Sequence, residues 1–98
     1  MKNIFQPLRR MIILQGIEQA AGRELSNEMI QRLLKAHCHS CPIAEVNEQI
    51  AWLENRGYVK AARLGDGEGF VFARITRAGI DVATGHARAE GIDPPPLE

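Results

Sequence analysis

The stretch IAWLENRGYV at residues 50–59, followed by ITRAG at residues 75–79, decides the fold of this 98-residue chain. Leu53 belongs to the apolar side of a helix, and Gly57 suits the position just after its end, because glycine takes a positive φ without steric cost. Tyr58 would pack against Leu53 in a Schellman ending. The stretch therefore predicts a helix that ends sharply and turns into a strand.

Two short strands, Val59–Leu64 and Phe70–Ile75, are predicted on either side of a flexible tip, GDGEG at residues 65–69. Alternation along the second strand separates an inner apolar face from an outer face. The inner face has Val71, Ala73 and Ile75, and the outer face has Phe70, Phe72 and Arg74. Thr76 then caps a short last helix, from about Arg77 to Thr84.

Three helices are predicted before this hairpin. The spacing of apolar side chains, with Pro7 in the first turn, indicates a helix from about Pro7 to Ala20. Residues 23–25 are interpreted as a connector, after which Ser26 caps a second helix. That helix ends at residues 37–40, where the apolar periodicity fails. The third helix starts near Pro42 and runs into the stretch quoted above.

This order of elements predicts one α+β domain that is mostly α, with three helices, a two-stranded hairpin and a short C-terminal helix. The second and third helices would form a helix-turn-helix, with the third as the recognition helix and the hairpin as its wing. We expect this winged helix-turn-helix domain to span residues 1–85. Residues 86–98 include three consecutive prolines and are predicted to form a flexible tail.

Residues 42–84 resemble winged-helix regulators, in which the recognition helix ends in a leucine, a glycine and an apolar pair that starts the wing. A narrower resemblance covers almost the whole chain and is to a small family of phage and Mu-like prophage proteins. It is carried by LRRMIIL at 8–14, AWLE at 51–54, ITRAGIDVA at 75–83 and GHAR at 85–88. The resemblance implies a winged-helix fold and a prophage origin, and it supplies no mechanism. The sequence departs from the family pattern at residues 37–41, where a turn without cysteines is expected.

Double-stranded DNA is the partner that this fold favours, although the formal net charge of zero excludes a basic coat over the whole surface. The outward positions of the third helix are predicted to face the bases, and nearby basic residues to hold phosphates. The predicted base-facing residues are Asn47, Glu48, Ala51 and Asn55. The predicted phosphate contacts are Arg56, Lys60, Arg63, Arg74 and Arg77. Asn47 can pair with adenine, whereas the glutamates of this helix would repel phosphates.

A protein-interaction adaptor without DNA affinity is the alternative function. It is favoured by the zero net charge, by the acidic third helix and by Phe70 and Phe72 on the outer face of the hairpin. These two aromatic rings would form a partner or dimer surface, or the C-terminal tail would cover them. A homodimer is expected in the DNA-binding case as well, because it would match two half-sites one turn apart.

The turn between the second and third helices carries His37, Cys38, His39 and Cys41, which are residue types that bind zinc. One Cys-x-x-Cys pair is weak evidence for a metal site, even with His86 as a fourth ligand. A redox pair would need a lowered thiol pKa, which Cys41 could obtain from the start of the third helix. We favour a polar turn with incidental cysteines, and therefore predict neither a metal nor a cofactor.

Other functional classes find no support in the sequence. There is no glycine-rich phosphate loop, no nucleophile with a placed histidine and no convincing pair of carboxylates, so we do not expect an enzyme. No apolar run is long enough to span a bilayer, and the N-terminal residues lack a cleavage-like site. The sequence is therefore interpreted as cytoplasmic, with no membrane partner.

Overall fold

The computed structural model describes residues 4–64 and 69–96, and its first half is helical. The elements are α1 (Gln6–Gln19), a 3₁₀ turn (Ala21–Arg23), β1 (Glu24–Ser26), α2 (Asn27–Ala36), α3 (Ile43–Asn55), β2 (Val59–Leu64), β3 (Phe70–Ile75) and α4 (Arg77–Ala83). Three helices, a hairpin and a short C-terminal helix follow one another as the sequence predicts. The predicted fold class is confirmed.

Local capping explains where α2 and α4 begin. The Ser26 hydroxyl accepts a hydrogen bond from the Met29 amide at 3.2 Å, and Thr76 accepts one from Gly79 at 3.1 Å. The Thr76 hydroxyl also donates to the carbonyl of Gly57 at 2.6 Å. One side chain thereby starts α4 and ties it to the turn that follows α3.

The end of α3 has the predicted geometry. Gly57 has a φ of 83°, and the amide of Tyr58 donates to the carbonyl of Leu53 at 3.0 Å. This bond is the long-range hydrogen bond of a Schellman motif, which needs a residue that tolerates positive φ. The chain therefore leaves α3 in a fixed direction and enters β2.

The core is aliphatic and lies where α1, α2 and α3 pack against the inner face of the sheet. Its fully buried side chains are Met11, Ile13, Leu14, Ile17, Ile30, Leu34, Val46, Ile50, Leu53 and Val59. Val71, Ala73 and Ile75 close the core from β3, as strand alternation predicts. Burial of these side chains fixes the orientation of α3 relative to the wing.

The sheet has three antiparallel strands in the order β1-β3-β2, which corrects the prediction of a two-stranded hairpin alone. Part of the segment interpreted as a connector is strand β1, in which Glu24 pairs with Arg74 and Leu25 with Ala73. A three-residue edge strand shows no alternation that a sequence can reveal. It forms here because β3 presents an unpaired edge to it.

The segment after α4 packs against the domain, so the packed part of the chain continues beyond the predicted boundary at residue 85. Ile92 is 7% exposed and belongs to the core cluster, and the amide of Asp93 donates to the carbonyl of Pro7 at 3.1 Å. The predicted tip of the wing falls outside the described residues at positions 65–68.

Candidate nucleic-acid interface

The outward face of α3 is defined by helical periodicity. At 100° per residue, Ala44, Glu48, Ala51 and Asn55 follow one line along the helix, opposite the buried Val46, Ile50 and Leu53. Ala51 is half-buried and the other three outward residues are exposed. Two alanines on this line leave the backbone of the helix open to close approach. We call these four residues the α3 outward face.

Asn47, which the sequence assigns to base contact, lies beside this face and points toward α2. Its Oδ1 accepts a hydrogen bond of 3.0 Å from Nδ2 of Asn27, a side chain that is only 1% exposed. The bond joins the two helices of the helix-turn-helix. A bidentate contact with adenine would require the amide oxygen that Asn27 already uses. Asn47 therefore positions α3 within the fold.

The acidic character of α3 is reduced by its packing. Glu54 faces the wing, where Oε1 lies 3.7 Å from Nη2 of Arg63 and Oε2 accepts from the amide of Ala61 at 3.3 Å. Glu45 is half-buried near Cys41. Of the three acids of α3, only Glu48 belongs to the outward face.

The five basic residues predicted to hold phosphates have different surroundings. Three are paired with acids across exposed contacts of 3.7–4.0 Å, namely Arg63 with Glu54, Arg74 with Glu24 and Arg77 with Asp81. Such exposed pairs are weak, and phosphate can compete for the cations. Arg56 instead stacks on Trp52, its Cζ 3.9 Å from the ring centroid. Lys60 is exposed and lies opposite Arg74 on the outer face of the sheet.

Two further cations, Arg32 and Lys35, were missed by the sequence reasoning. They lie on the exposed side of α2 and line a shallow groove of about 380 Å³ with Gln31, Ser40 and Cys41. Nε2 of Gln31 donates to the carbonyl of Cys41 at 3.0 Å and fixes the turn that leads into α3. In a helix-turn-helix the first helix crosses the DNA backbone. The polar side of α2 was the feature of the sequence that could have identified Arg32 and Lys35.

A hydrogen bond and a ring contact to His39 hold the turn between α2 and α3. Nε of Arg9 donates to Nδ1 of His39 at 3.1 Å, and the ring of Phe5 meets His39 edge-on. Within the described residues, no three histidine, cysteine or acidic side chains converge as metal ligands. His37, Cys38, His39 and Cys41 are therefore not brought together, and the Nδ1 of His86 contacts Thr84.

The redox alternative loses its physical basis at Cys41. Burial raises the pKa of the Cys41 thiol, and Glu45 raises it further, with a smaller opposing effect from Arg9. The redox hypothesis required a lowered pKa, which the start of α3 could have supplied. A raised pKa lowers the fraction of the reactive thiolate at neutral pH.

The outer face of the sheet carries the predicted aromatic pair. Phe70 and Phe72 stack with ring centroids 6.0 Å apart, and Phe70 is 47% exposed. Leu64 and Met29 continue the apolar surface at 55% and 50% exposure. The described C-terminal segment instead contacts Trp52 and Arg10, on the α1 side of the molecule.

Solved structures of other proteins share the fold of this chain. RosR of H. salinarum superposes with a TM-score of 0.64 at 17% identity, over 78% of this chain and 66% of RosR. AbsC, a MarR family transcriptional regulator from Streptomyces coelicolor, gives a TM-score of 0.59 at 19% identity, over 79% of this chain and 49% of AbsC. The chain thus spans just under two thirds of RosR and about half of AbsC. The fold that this chain shares with both proteins is the winged-helix fold.

Sequence comparison then gives the family. The chain is 32% identical over 87 residues to the uncharacterized protein gp26 of Escherichia phage Mu, covering 89% of this chain and 86% of gp26. It belongs to the family of phage Mu gp26. No protein-family profile matches the sequence. None of the helices within the described residues has the length and apolar character needed to cross a membrane.

Proposed function

We propose that this chain is a phage or prophage regulator that binds double-stranded DNA through the α3 outward face. The observation that carries the proposal is the exposure of one continuous side of α3, held in place by α2 and the wing. Ala44 and Ala51 permit close approach to base edges, and Asn55 and Glu48 offer hydrogen-bonding groups. Membership of the Mu gp26 family supports the phage origin.

The charges around α3 support the same function. Arg32 and Lys35 flank its N-terminal side on α2, Arg56 lies at its C-terminal end and Lys60 lies on the wing. These positions suit contacts to phosphates on either side of a groove. The net charge of zero limits non-specific affinity. We expect the protein to act in the cytoplasm as a homodimer on two half-sites.

The first experiment is a titration of a fluorescent duplex followed by anisotropy at two salt concentrations. We expect binding at about 50 mM salt that weakens at least tenfold at about 200 mM, because phosphate contacts release counterions. Ala51→Glu should lower the affinity at least tenfold, since it places a second acid on the α3 outward face. Gln19→Glu, the same change in charge on an exposed part of α1, is the matched control. No binding of the native protein at low salt would contradict the function.

A second candidate function, protein binding, is favoured by the outer face of the sheet. We commit to a second copy of this chain as the occupant, because the face is self-complementary. Cross-strand pairing puts Glu24, Arg74 and Lys60 in one row, with the acid on one edge strand and the lysine on the other. A two-fold axis parallel to the strands would place Glu24 of each protomer opposite Lys60 of the other and bring the Phe72 rings together, with the two Arg74 side chains facing each other at the centre of the row.

Sedimentation equilibrium tests this second function. Leu64→Ser with Phe70→Ser should convert a dimer into a monomer, because it removes the most exposed apolar contacts of the face. Ile4→Ser, which changes another exposed apolar residue, should leave the dimer intact. A monomeric native protein at all concentrations, or a dimer unaffected by the double change, would contradict the assignment of this face.

A further inference from the structure

Trp52 on α3 has a guanidinium on each face of its ring. Cζ of Arg10 lies 3.8 Å from the ring centroid on one side, and Cζ of Arg56 lies 3.9 Å away on the other. Stacking of this kind is a favourable cation–π contact. Within residues 4–64 and 69–96, no carboxylate lies within ion-pair distance of either arginine. The two charges are thus concentrated at one end of α3 and remain uncompensated there.

Arg10 is fixed in this arrangement by two hydrogen bonds that it donates to separate parts of the chain. Its Nε donates to Oε1 of Gln49 at 2.8 Å, and its Nη1 donates to the carbonyl of Gly91 at 2.9 Å. Gln49 is itself buried, at 4% exposure. The guanidinium therefore has neutral partners that orient it without cancelling its charge.

The C-terminal segment completes the arrangement. Gly91 has a φ of 86°, and a Cβ at this position would lie 2.8 Å from Cζ2 of Trp52 and 3.4 Å from Nη1 of Arg10. Only a glycine brings its carbonyl this close to the stack. Ile92, buried in the core, and the bond from Asp93 to Pro7 hold the segment on either side of the contact.

The electrostatics favour an anion at this place. Burial lowers the pKa of Arg10, and the charge of Arg56 lowers it further, so the two cations repel each other across the ring. Arg10 nevertheless remains a cation at neutral pH, because the pKa of an arginine lies far above 7. An anion near the pair would relieve the repulsion. Arg56 is exposed and follows directly after Asn55 of the α3 outward face.

We propose that Arg10 and Arg56, stacked on Trp52 and held by the Gly91 segment, form a binding site for a phosphate of the DNA backbone. This inference rests on the proposed function and deepens it by assigning a phosphate contact to α1. It also gives the C-terminal segment a role as a positioning element. The site lies on the side of α3 away from the wing. The phosphate site and the wing would therefore contact the duplex on opposite sides of the groove.

The test uses the full chain and the same labelled duplex, with Arg10→Gln, Arg56→Gln and the control Arg23→Gln. Arg23 is an exposed arginine paired with Glu18, so the control removes the same charge at a site remote from α3. We expect each of the first two changes to weaken binding about threefold to tenfold and to reduce the salt slope by about one. Arg23→Gln should stay within about twofold of the native protein.

Gly91→Ala tests the role of the segment without a change in charge. It should lower the affinity and shift the fluorescence of Trp52, which is the single tryptophan of the chain. Circular dichroism establishes that each variant is folded. If the native protein binds and Arg10→Gln and Arg56→Gln keep its affinity and salt slope, the phosphate site is wrong and the proposed function stands. If the native protein does not bind the duplex at low salt, both are wrong.

Discussion

The carboxylate of Glu54 on α3 lies 3.7 Å from the guanidinium of Arg63 on β2. The same carboxylate accepts a hydrogen bond from the amide of Ala61, on the edge strand of the sheet. Glu54 thereby links α3 to the wing and caps an edge amide. It also pairs with Arg63, a cation that the sequence analysis assigns to a phosphate contact.

Replacing this acid should strengthen DNA binding. Glu54→Gln keeps an acceptor for the Ala61 amide and removes the charge, which frees Arg63 for phosphate. We expect the affinity for a duplex at low salt to rise about twofold to fivefold. Glu18→Gln, which removes the acid of another exposed pair, is the control in the same anisotropy titration. An affinity of the Glu54 variant no higher than that of the control would contradict the prediction.

The bond between Asn27 and Asn47 should be important for stability. Asn47→Ala leaves the buried amide of Asn27 without its acceptor, which costs about 1–3 kcal/mol in the free energy of unfolding. Asn55→Ala removes an exposed side chain from the same helix and should change stability by less than about 0.5 kcal/mol. Urea denaturation measures both. Equal stability of the two variants would show that the bond has no structural role.

Gly79 should not tolerate a methyl group. A Cβ there would overlap the carbonyl oxygen of Tyr58 and lie 2.7 Å from Cγ1 of Ile75, so backbone would have to move. Gly16→Ala is the matched control, because the nearest atoms to its Cβ all belong to the Leu33 side chain, which can rotate. We expect Gly79→Ala to lower stability by about 1–3 kcal/mol more than the control, despite the better helix propensity of alanine. Thermal unfolding followed by circular dichroism measures the stability of both variants. Similar melting temperatures for Gly79→Ala and Gly16→Ala would show that the clash does not occur.

The stability of the turn before α3 should depend on pH through His39. Burial lowers the pKa of His39 below its ordinary value of 6.5, and Arg9 and His37 lower it further. The folded chain then binds fewer protons than the unfolded chain, so this contribution to stability is present above about pH 6.5 and is lost as the pH falls from there through the lowered pKa of the folded state.

His39→Gln keeps an acceptor for Arg9 and removes the titration. The urea midpoint of the native protein should therefore fall more steeply between about pH 7.5 and pH 5.5 than that of the variant. If the urea midpoints of the native protein and the variant change in parallel with pH, His39 makes no contribution to the pH dependence of stability.

Most of the fold follows from local sequence. Both strands of the wing have the predicted bounds, and α4 and α1 differ from prediction by one residue at their ends. These elements are encoded by alternation, apolar periodicity and caps such as Thr76, which act within a few residues. Strand β1 was missed because its pairing with β3 joins positions almost fifty residues apart.

The site was less predictable than the fold. Periodicity gave Glu48, Ala51 and Asn55 as outward positions of α3, and it missed Ala44. It did not show that Asn47 bonds to Asn27 or that Glu54 pairs with Arg63. The stack of Arg10, Trp52 and Arg56 depends on a C-terminal segment that composition alone predicts to be flexible. Each of these contacts is tertiary, and only the folded chain reveals its partner.

The central claim is that the α3 outward face meets DNA, and amide chemical-shift mapping by NMR tests it most directly. The labelled protein is titrated with an unlabelled duplex at low salt. We predict that the largest shifts cluster at Ala44, Glu48, Ala51 and Asn55, with further shifts at Arg56 and Lys60. Shifts confined to the outer face of the sheet around Phe70 and Phe72, or no shifts at all, would contradict the claim.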